Sequence, residues 1–313
     1  MNTSMTTHRL ALPPDFGSMI PPNIRISPFT YPDLDLQCQD VDEKDAGQRL
    51  QEHLGRPYAL TSSGRHALKL VLTDAGLNAD DTVTIFTTTG NSYVSGCVTR
   101  TIGQLCRWSM KIETSTKLIL VIHEWGIPFP RMEELLTTGI PIAEDCAYAF
   151  ASSREGEQMG RKGAYSFFSL PKFFPINFGG VVCGVRQPVE MLWEARRAVF
   201  SVIGSELPQL AAICNARISA WRYLESAFSE IGCGPTLQFE SGTVPGVFMF
   251  TPHDDVAPEE IKRAYKLHGI EASVFYPWHA VFIPCHQKLT PGAMKYMVSV
   301  YEQARRQGRK ESN

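Results

Sequence analysis

Strand-length apolar segments alternate with helix-like segments through the middle of this 313-residue chain, and this alternation constrains the fold most strongly. The run LILVI (118–122) is apolar throughout, which is typical of a strand buried on both faces of a parallel sheet. The helix-like segment GRHALKLVLTDAG (64–76) places Leu68, Val71 and Leu72 on one face. Further strand-like segments are TVTIFTTT, IPIAED, AYSFFS and GGVVCG. The sequence therefore predicts an α/β fold with a mostly parallel central sheet and helices on both faces.

Changes in residue pattern divide the chain into three predicted parts. Residues 1–40 are rich in Pro, Thr and Ser and have no clear period, so we expect a partly extended N-terminal arm. Residues 41–231 carry the alternating segments and end in two long helix-like segments, so they form the predicted large α/β domain. The turn-rich stretch GCGPTLQFESGTVPG (232–246) marks the start of a small C-terminal α+β domain at 232–313.

Charge and hydropathy argue against several classes of partner. The formal net charge of −2 gives no electrostatic reason to expect nucleic acid or an anionic membrane surface. The longest aliphatic run, LILVI, is far too short to span a bilayer. The N-terminal stretch MNTSMTTHRLALPPDF lacks a basic segment followed by an apolar one, so no secretory signal is apparent. We therefore expect no membrane or nucleic-acid partner.

The eight cysteines form no CxxC pair. Several, such as Cys183 in GGVVCG, lie in apolar surroundings, and we interpret the cysteines as reduced core residues of a cytoplasmic protein. Cys285 and His286 are adjacent, but a metal site needs further ligands at suitable spacing, and none is obvious. The sequence accordingly predicts no metal site.

The segment TSSGRHAL (61–68) is a candidate phosphate site. Ser62, Ser63 and Gly64 lie where a strand turns into a helix, so free N–H groups and the positive end of the helix dipole point outward. The alternative is ordinary capping of the helix by a serine.

In PIAEDCAYAF (141–150), Asp145 ends an apolar strand, where ligands of parallel sheets gather, and a carboxylate there can hold a protonated ring nitrogen. The alternative is that Asp145 caps the next turn.

The segment SFFSLPKFFPINFGG (166–180) places Lys172 among aromatic and proline residues between two predicted strands. Burial there would disfavour the charged amine and lower its pKa, as an amine nucleophile requires. The alternative is a hairpin whose lysine reaches water over aromatic side chains. Ser166 or Ser169 could add phosphate contacts, and the glycine pair at 179–180 would let a backbone pass close. A phosphate cradle, a carboxylate for a ring nitrogen and a buried lysine together match pyridoxal phosphate.

The order of these motifs resembles the DegT-type family of sugar aminotransferases, which has the aspartate aminotransferase (type I) fold of pyridoxal-phosphate enzymes. The similar segments, which span about residues 42–307, are RLQEHLGRPYALTSSGRHALKLVL, DDTVTIFTTT, LILVIHEWGIPFPRMEEL, IAEDCAYAF, SFFSLPKFFPINFGGVV and GIEASVFYPWHAVFIPCHQKLTPGAMKYMVSVYEQA. The resemblance implies that Lys172 holds the cofactor as a Schiff base and moves protons, while Asp145 keeps the pyridine nitrogen protonated. Ser63 and Gly64 would grip the phosphate, with help from Ser169.

Several positions depart from the family pattern. Arg65 stands where the family usually has threonine, and could serve the phosphate as a bidentate donor. Tyr148 replaces the usual glutamine, and its phenol could hydrogen-bond the cofactor's ring oxygen. Tyr93 is the candidate for the aromatic ring stacked on the cofactor. The segment between QLCRWSM and KLILVIH is shorter than usual, and the family's asparagine-tyrosine-arginine element before the long helix is missing.

The resemblance implies a homodimeric, pyridoxal-phosphate-dependent aminotransferase. The activity that the resemblance implies is transfer of an amino group from an amino acid to the keto group of a nucleotide-linked keto-sugar. Because the departures lie mainly on the substrate side, one alternative is a pyridoxal-phosphate enzyme of another reaction type, such as elimination or dehydration. A further alternative is a catalytically silent relative with a regulatory role, against which the presence of both Lys172 and Asp145 argues.

Overall fold

A seven-stranded sheet forms the frame of the protein, for which a computed structural model describes residues 23–187 and 189–311. The strands up to residue 183 are β1 (Tyr58–Thr61), β2 (Thr82–Thr87), β3 (Arg107–Ser109), β4 (Thr116–Ile122), β5 (Ile142–Asp145), β6 (Ser153–Arg154), β7 (Glu157–Gln158), β8 (Tyr165–Ser169) and β9 (Gly180–Cys183). The sheet order is β1-β9-β8-β5-β4-β2-β3, and β6 and β7 form a separate hairpin. β3, β2, β4, β5 and β8 run parallel, whereas β9 is antiparallel to β8 and to β1. The prediction of a mostly parallel α/β sheet is confirmed.

Helices cover both faces of this sheet. Those before residue 231 are α1 (Asp33–Gln37), α2 (Glu43–Leu54), α3 (Gly64–Asp74), α4 (Gly96–Ile102), α5 (Met132–Leu136), α6 (Trp193–Glu206) and α7 (Leu210–Glu230). Neighbouring residues of β9 belong to different cores: Val181 packs in the cluster that contains Leu50 and Phe200, and Val182 packs in the cluster that contains Leu68. This alternation is what burial on both faces requires.

A three-stranded antiparallel sheet lies in the C-terminal part of the chain. Its elements are β10 (Val247–Phe250), β11 (Ser273–Phe275) and β12 (Ala280–Pro284), with helices α8 (Pro258–Leu267) and α9 (Pro291–Glu311). Helix α7 contributes to two cores. Ile213 packs in the cluster that contains Leu50 of α2 and Phe200 of α6, here called the α2–α6 core, and Phe228 packs against the small sheet. The division of the chain at residues 40 and 231 remains a prediction.

Residues 1–22 of the predicted N-terminal arm lie outside the described residues. The next residues of the arm contact the segment that precedes β11. Ile24 forms a parallel bridge with Ile270, and the Ile26 N–H donates to the Glu271 carboxylate. Helix α1 interrupts the expected extended conformation and contacts α6, where the Ser201 hydroxyl donates to the Leu36 carbonyl.

The segment Trp193–Glu230 is long and apolar enough, by length and composition, to cross a membrane, with a mean hydropathy of 1.2 over an 18-residue window. Core helices of soluble proteins pass the same test. Here a short 3-10 turn at Leu207–Gln209 interrupts the helix, and Arg217 is buried within it. An arginine at the middle of a membrane span is costly, so the segment is better explained as part of the packed fold.

Candidate functional site

A cavity of about 840 Å³ lies at the carboxyl edge of the parallel strands. Its walls include residues that follow β1, β4 and β5, together with Phe275 and Phe282 of the small sheet. All of the predicted site residues line it: Ser63, Gly64, Arg65, Tyr93, Asp145, Tyr148, Ser169 and Lys172. They converge because the carboxyl ends of parallel strands meet at one edge, and the first βα turn opens there as well.

The serine turn (Ser62–Arg65) combines capping with free hydrogen-bond donors. The Ser63 hydroxyl accepts the His66 N–H at 3.2 Å, so the capping interpretation is correct for this side chain. The Arg65 N–H, however, has no acceptor among the described residues, and the Gly64 N–H has none at regular hydrogen-bond geometry, although Ser63 forms a parallel bridge with Gly179. Such N–H groups at the N-terminus of an eleven-residue helix can bind an anion. The exposed Arg65 side chain extends the same donor set.

Two glycines allow β8 and β9 to lie close to the serine turn. A Cβ added at Gly180 would lie 2.7 Å from the Ser63 carbonyl carbon and 2.8 Å from the Gly64 nitrogen. A Cβ at Gly64 would lie 3.1 Å from the Ser169 Cβ. The backbone that passes close to the glycine pair is therefore the serine turn of the same chain, and this contact brings the Ser169 hydroxyl beside the free N–H groups.

Ser166 does not take part in this arrangement. Alternate residues of β8 point to opposite faces, so Phe167 and Ser169 line the cavity while Ser166 is fully buried on the other face. Its hydroxyl faces the Cys183 thiol across the strands and makes no regular hydrogen bond. The suggestion that Ser166 contacts a phosphate is wrong, because its direction along the strand excludes it from the cavity.

Asp145 is buried at the end of β5, with 5% of its surface exposed. Its Oδ1 accepts the Ala147 N–H at 2.9 Å, which is the predicted turn-capping alternative. That bond is the only hydrogen bond to this carboxylate within the described part of the chain, so Oδ2 remains available to a ligand in the cavity. Burial raises the pKa of Asp145 to about 6, against the Ala147 hydrogen bond and the electrostatic influence of His123 and Lys172. A cationic ligand atom beside Oδ2 would restore the charged form.

Glu144, the preceding residue, is an anchor outside the cavity. Its oxygens accept the N–H groups of Gly160, Lys162 and Gly163 at 3.1, 2.9 and 2.6 Å, and the His123 Nε2 lies 3.0 Å away. Burial opposes the charged form of Glu144, but these hydrogen bonds outweigh it and lower its pKa. The carboxylate thus fixes the loop that returns to β8 and orients His123.

His123 is held in one tautomer by its two partners. Its Nδ1 accepts the Phe129 N–H at 3.0 Å, so the ring proton lies on Nε2 and is donated to Glu144. His123, Glu144 and Cys146 lie close enough together to be considered as metal ligands. Both ring nitrogens and both carboxylate oxygens are already engaged, and burial raises the pKa of the Cys146 thiol well above its usual value. These contacts disfavour metal binding by this cluster.

Lys172 ends a short 3-10 turn after β8, and its amine lies over the Tyr148 ring, 4.9 Å from the centroid. Its neighbours Phe173 and Phe174 are buried in the α2–α6 core, which fixes the backbone behind the lysine. Attraction to the Tyr148 phenol oxygen raises the pKa of Lys172; burial acts in the opposite direction, and a hydrogen bond with Tyr148 adds to the rise. The expectation that burial lowers this pKa is therefore wrong as a net effect, because Tyr148 contacts the amine.

Tyr93 lies in the cavity wall and is 44% exposed. Its ring meets the rings of Phe275 and Tyr276 edge-on, with centroids 5.6 Å apart in both pairs. This contact joins the loop after β2 to the small sheet. The ring lies in the cavity wall, where a planar ligand could contact it.

Sequence reasoning missed Glu124, a buried carboxylate that also lines the cavity. Its Oε2 accepts the Thr89 N–H at 2.8 Å and the Thr89 hydroxyl at 2.7 Å. Burial raises the pKa of Glu124, the Thr89 hydrogen bonds oppose the rise, and Asp145 adds to it. His123 and Glu124 directly follow β4, so the rule that singled out Asp145 after β5 would also have found them.

Comparison with known proteins agrees with these motifs. Residues 107–182, which include Asp145 and Lys172, match the model of the DegT/DnrJ/EryC1/StrS aminotransferase family. The predicted resemblance to this family is confirmed. A search of curated proteins with the sequence found no match. This match agrees with the predicted aminotransferase type and with the predicted cofactor, pyridoxal phosphate.

Solved structures share the fold at low sequence identity. A Streptococcus pneumoniae protein assigned as a sugar aminotransferase, in its PMP form, superposes with a TM-score of 0.71 at 14% identity, covering 94% of this chain and 99% of that one. Aminotransferase TlmJ of Streptoalloteichus hindustanus gives 0.70 at 16% identity, with 90% and 98% covered. An aminotransferase of Psychrobacter cryohalolentis gives 0.67 at 14% identity, with 88% and 97% covered. The type I fold is confirmed.

The cavity fits pyridoxal phosphate by its own chemistry. Unpaired N–H groups and the Arg65 side chain suit the phosphate, Oδ2 of Asp145 suits a protonated ring nitrogen, and the Lys172 amine suits an aldehyde. When bound, this cofactor supplies an aldehyde that condenses with amines, with release of water, and a pyridinium ring that withdraws electrons from the reacting carbon.

Proposed function

We propose that this chain is an aminotransferase that moves the amino group of an amino acid to the keto group of a nucleotide-linked sugar. The observation that carries the proposal is the convergence of Lys172, Asp145 and the donors of the serine turn on one cavity. No one of these groups is specific alone, but the three together match the three reactive ends of one cofactor.

The proposed roles follow from the positions of the side chains. Lys172 would hold the cofactor through its amine, and the same amine, when free, would accept the proton of the substrate's α carbon. Asp145 holds the proton on the ring nitrogen, since its buried carboxyl gains a cationic partner there. Gly64, Arg65 and Ser169 bind the phosphate through two N–H groups, a guanidinium and a hydroxyl.

Three aromatic or hydroxyl groups complete the proposed site. Tyr148 contacts the Lys172 amine and is proposed to donate to the cofactor's ring oxygen. Tyr93 is proposed to stack on the cofactor ring from the side of the small sheet. Ser63 has its lone pairs directed to the His66 N–H, which leaves its own O–H free to donate to the phosphate.

A large acceptor is supported by the size of the cavity. Its volume of about 840 Å³ lies in the upper part of the range of about 300–1,000 Å³ that is usual for small-molecule sites. Room therefore remains beside a cofactor for a substrate of some size. The Streptococcus pneumoniae neighbour assigned as a sugar aminotransferase supports a keto-sugar as that substrate.

The proposed functional unit is a homodimer in the cytoplasm. Among the described residues of the cavity wall, Arg65 and Lys172 are the cationic side chains, and both have proposed roles. The carboxylate of an amino-acid donor needs a further cation, which a second copy of the chain could supply. Leu192 and Trp193 are 78% and 61% exposed, which gives apolar surface for such a contact.

The proposed location in the cytoplasm is supported by the cysteines. All of them are free thiols, which suits a reducing compartment.

The decisive experiment is borohydride reduction of the purified protein in the presence of pyridoxal phosphate, followed by peptide mapping. We expect a reduced adduct on the peptide that contains Lys172, and a spectral change when a suitable amino acid is added as donor. An adduct without any response to amino acids would favour elimination or a silent relative. No adduct on Lys172 would contradict the proposal. Light scattering tests the dimer, and a panel of nucleotide-linked keto-sugars tests the acceptor.

A further inference from the structure

Arg217 is a fully buried arginine with no acidic partner. It lies in the middle of α7, is 1% exposed, and forms no ion pair with any described aspartate or glutamate. Removing a cation from water is costly unless its donors are satisfied, and neutral apolar groups often replace such a residue without loss of stability. A buried unpaired arginine at this place therefore calls for a reason beyond packing.

The guanidinium is satisfied by backbone carbonyls and one amide side chain. Its Nη2 donates to the carbonyls of Lys172 and Phe173, each at 3.1 Å. Nη1 donates to the Pro245 carbonyl at 3.3 Å, and Nε donates to the Gln287 side-chain oxygen at 2.9 Å. Two of these four bonds end on the backbone of Lys172 and Phe173, here called the lysine segment.

Two further contacts strengthen the hold on that segment. The guanidinium carbon lies 4.4 Å from the centroid of the Phe173 ring, which is a cation–π contact between two buried side chains. Gln287, which accepts from Arg217, also donates to the Phe173 carbonyl at 2.9 Å. The carbonyl of Phe173 therefore receives two side-chain donors from different parts of the chain.

We propose that Arg217, supported by Gln287, is the positioning residue for Lys172. It binds the lysine segment from the core side, so that the amine is presented to the cavity in one orientation. The charge is useful there because a cationic donor binds carbonyl oxygens more strongly than a neutral one. The inference rests on the proposed role of Lys172 as the residue that receives the cofactor.

The test compares Arg217→Met with Arg217→Lys, Gln287→Met and a matched control, Phe228→Leu. Phe228 lies on the same helix and is fully buried, but it packs against Phe248 and Phe250 of the small sheet, away from the lysine segment. For each cofactor-free variant, the rate constant of adduct formation between Lys172 and pyridoxal phosphate is measured by borohydride trapping. Urea unfolding gives the folded fraction, to which the rate constant is normalised.

We expect Arg217→Met to form the adduct about tenfold more slowly per folded molecule, because two charge-assisted bonds to the lysine segment are lost. Arg217→Lys should recover part of the rate, since an ammonium can still donate to one carbonyl. Gln287→Met should slow the reaction by about threefold and is the decisive variant if Arg217→Met does not fold. Phe228→Leu should lose stability but keep the parental rate constant.

Two outcomes overturn the inference, and they differ from failure of the proposed function. If the Arg217 and Gln287 variants react as fast as the control per folded molecule, Arg217 only stabilises the fold. If Arg217→Lys is as slow as Arg217→Met, a cationic donor is not what positions the segment. If the parent protein forms no adduct at all, the assignment of Lys172 fails first, and the role of Arg217 fails with it.

Discussion

Glu144 and Asp145 are neighbours on β5, yet their carboxylates leave the strand on opposite faces and meet opposite conditions. Both are buried, at 1% and 5% exposed. Glu144 receives three N–H groups and an imidazole, and its pKa is lowered; Asp145 receives one N–H, and its pKa is raised to about 6. Burial alone therefore does not decide the charge of a carboxyl group. The number of hydrogen-bond donors around the carboxyl group decides its charge. On the cavity face, Asp145 has few donors from the protein, so a ligand can supply the others.

The two faces of strand β8 also differ in their surroundings. Ser169 on the cavity face lies beside the free N–H groups of the serine turn, whereas Ser166 on the other face is enclosed by the core. Substitutions on the cavity face should therefore change cofactor binding and turnover, and those on the opposite face should change stability. Substitutions of paired residues on the two faces can test this separation.

The largest effect is expected for Lys172→Ala, compared with Lys162→Ala. Lys172 is the cavity amine, while Lys162 pairs with Glu133 and Glu157 outside it. Turnover by Lys172→Ala should fall by several orders of magnitude with little change in unfolding free energy, because a nucleophile is lost but little core volume is. Lys162→Ala should keep its turnover. Near-normal turnover by Lys172→Ala, in steady-state assays, would contradict the assignment.

Asp145→Asn should still bind the cofactor on Lys172 but turn over about a hundredfold more slowly or worse, because the charge that holds the ring proton is lost where negative charge develops. Single-turnover reaction with an amino-acid donor measures this directly. Equal half-reaction rates in the variant and the parent would show that Asp145 does not act on the ring nitrogen.

The same substitution should change how the stability of the cofactor-free protein depends on pH. The Asp145 pKa is about 6 in the folded protein and near its ordinary value of 3.8 in the unfolded chain. Between these values the folded state binds more protons, so the parent loses unfolding free energy as pH rises. Above pH 6, Asp145→Asn should be more stable than the parent by about 3 kcal/mol, and the advantage should vanish near pH 4. Urea unfolding across this range is the measurement.

Glu144→Gln makes the matching change on the opposite face. An amide nitrogen would replace one oxygen and face donors from the Gly160–Gly163 loop or His123. We expect a loss of about 3 kcal/mol in unfolding free energy, most of it above the low pKa of this carboxyl. At a temperature where the variant is folded, its adduct with pyridoxal phosphate should form normally. A stable variant with slow adduct formation would break the separation of the two faces.

The smallest effects are expected for the two serines of β8. Ser169→Ala should weaken pyridoxal phosphate binding about fivefold, the value of one hydrogen bond, as measured by titration of the cofactor-free protein. Ser166→Ala removes a buried hydroxyl without a regular partner, so its stability should be unchanged or slightly higher, with unchanged cofactor affinity. The reverse pattern would mean that the strand faces are exchanged.

Much of the fold was predictable because its elements are locally encoded. The predicted helix at 64–76 is found as α3, where the Ser63 hydroxyl accepts the His66 N–H at the start of the helix. The elements that were missed are short or depend on tertiary contacts. β3 has three residues at the sheet edge, and α4 is a seven-residue helix in a Gly- and Thr-rich segment.

The composition of the site was predictable for a related reason: strand ends and the first βα turn meet at one edge, so residues in different motifs converge. The sequence could not show how side chains contact one another across that edge. The pKa of Lys172 depends on Tyr148, which is far from it in the sequence, and the direction of Ser166 depends on the exact start of β8. The buried Arg217 has no local pattern that distinguishes it from a surface arginine.

The close contact at Gly180 has a consequence for judging distant relatives of this chain. Any side chain at this position would collide with the backbone of Ser63 and Gly64. A relative could therefore keep the lysine, the aspartate and the serines of the cavity and still bind the cofactor poorly because of one added methyl group. An inventory of reactive residues would count such a protein as active, so inactivation in this fold can begin at a position that carries no functional group.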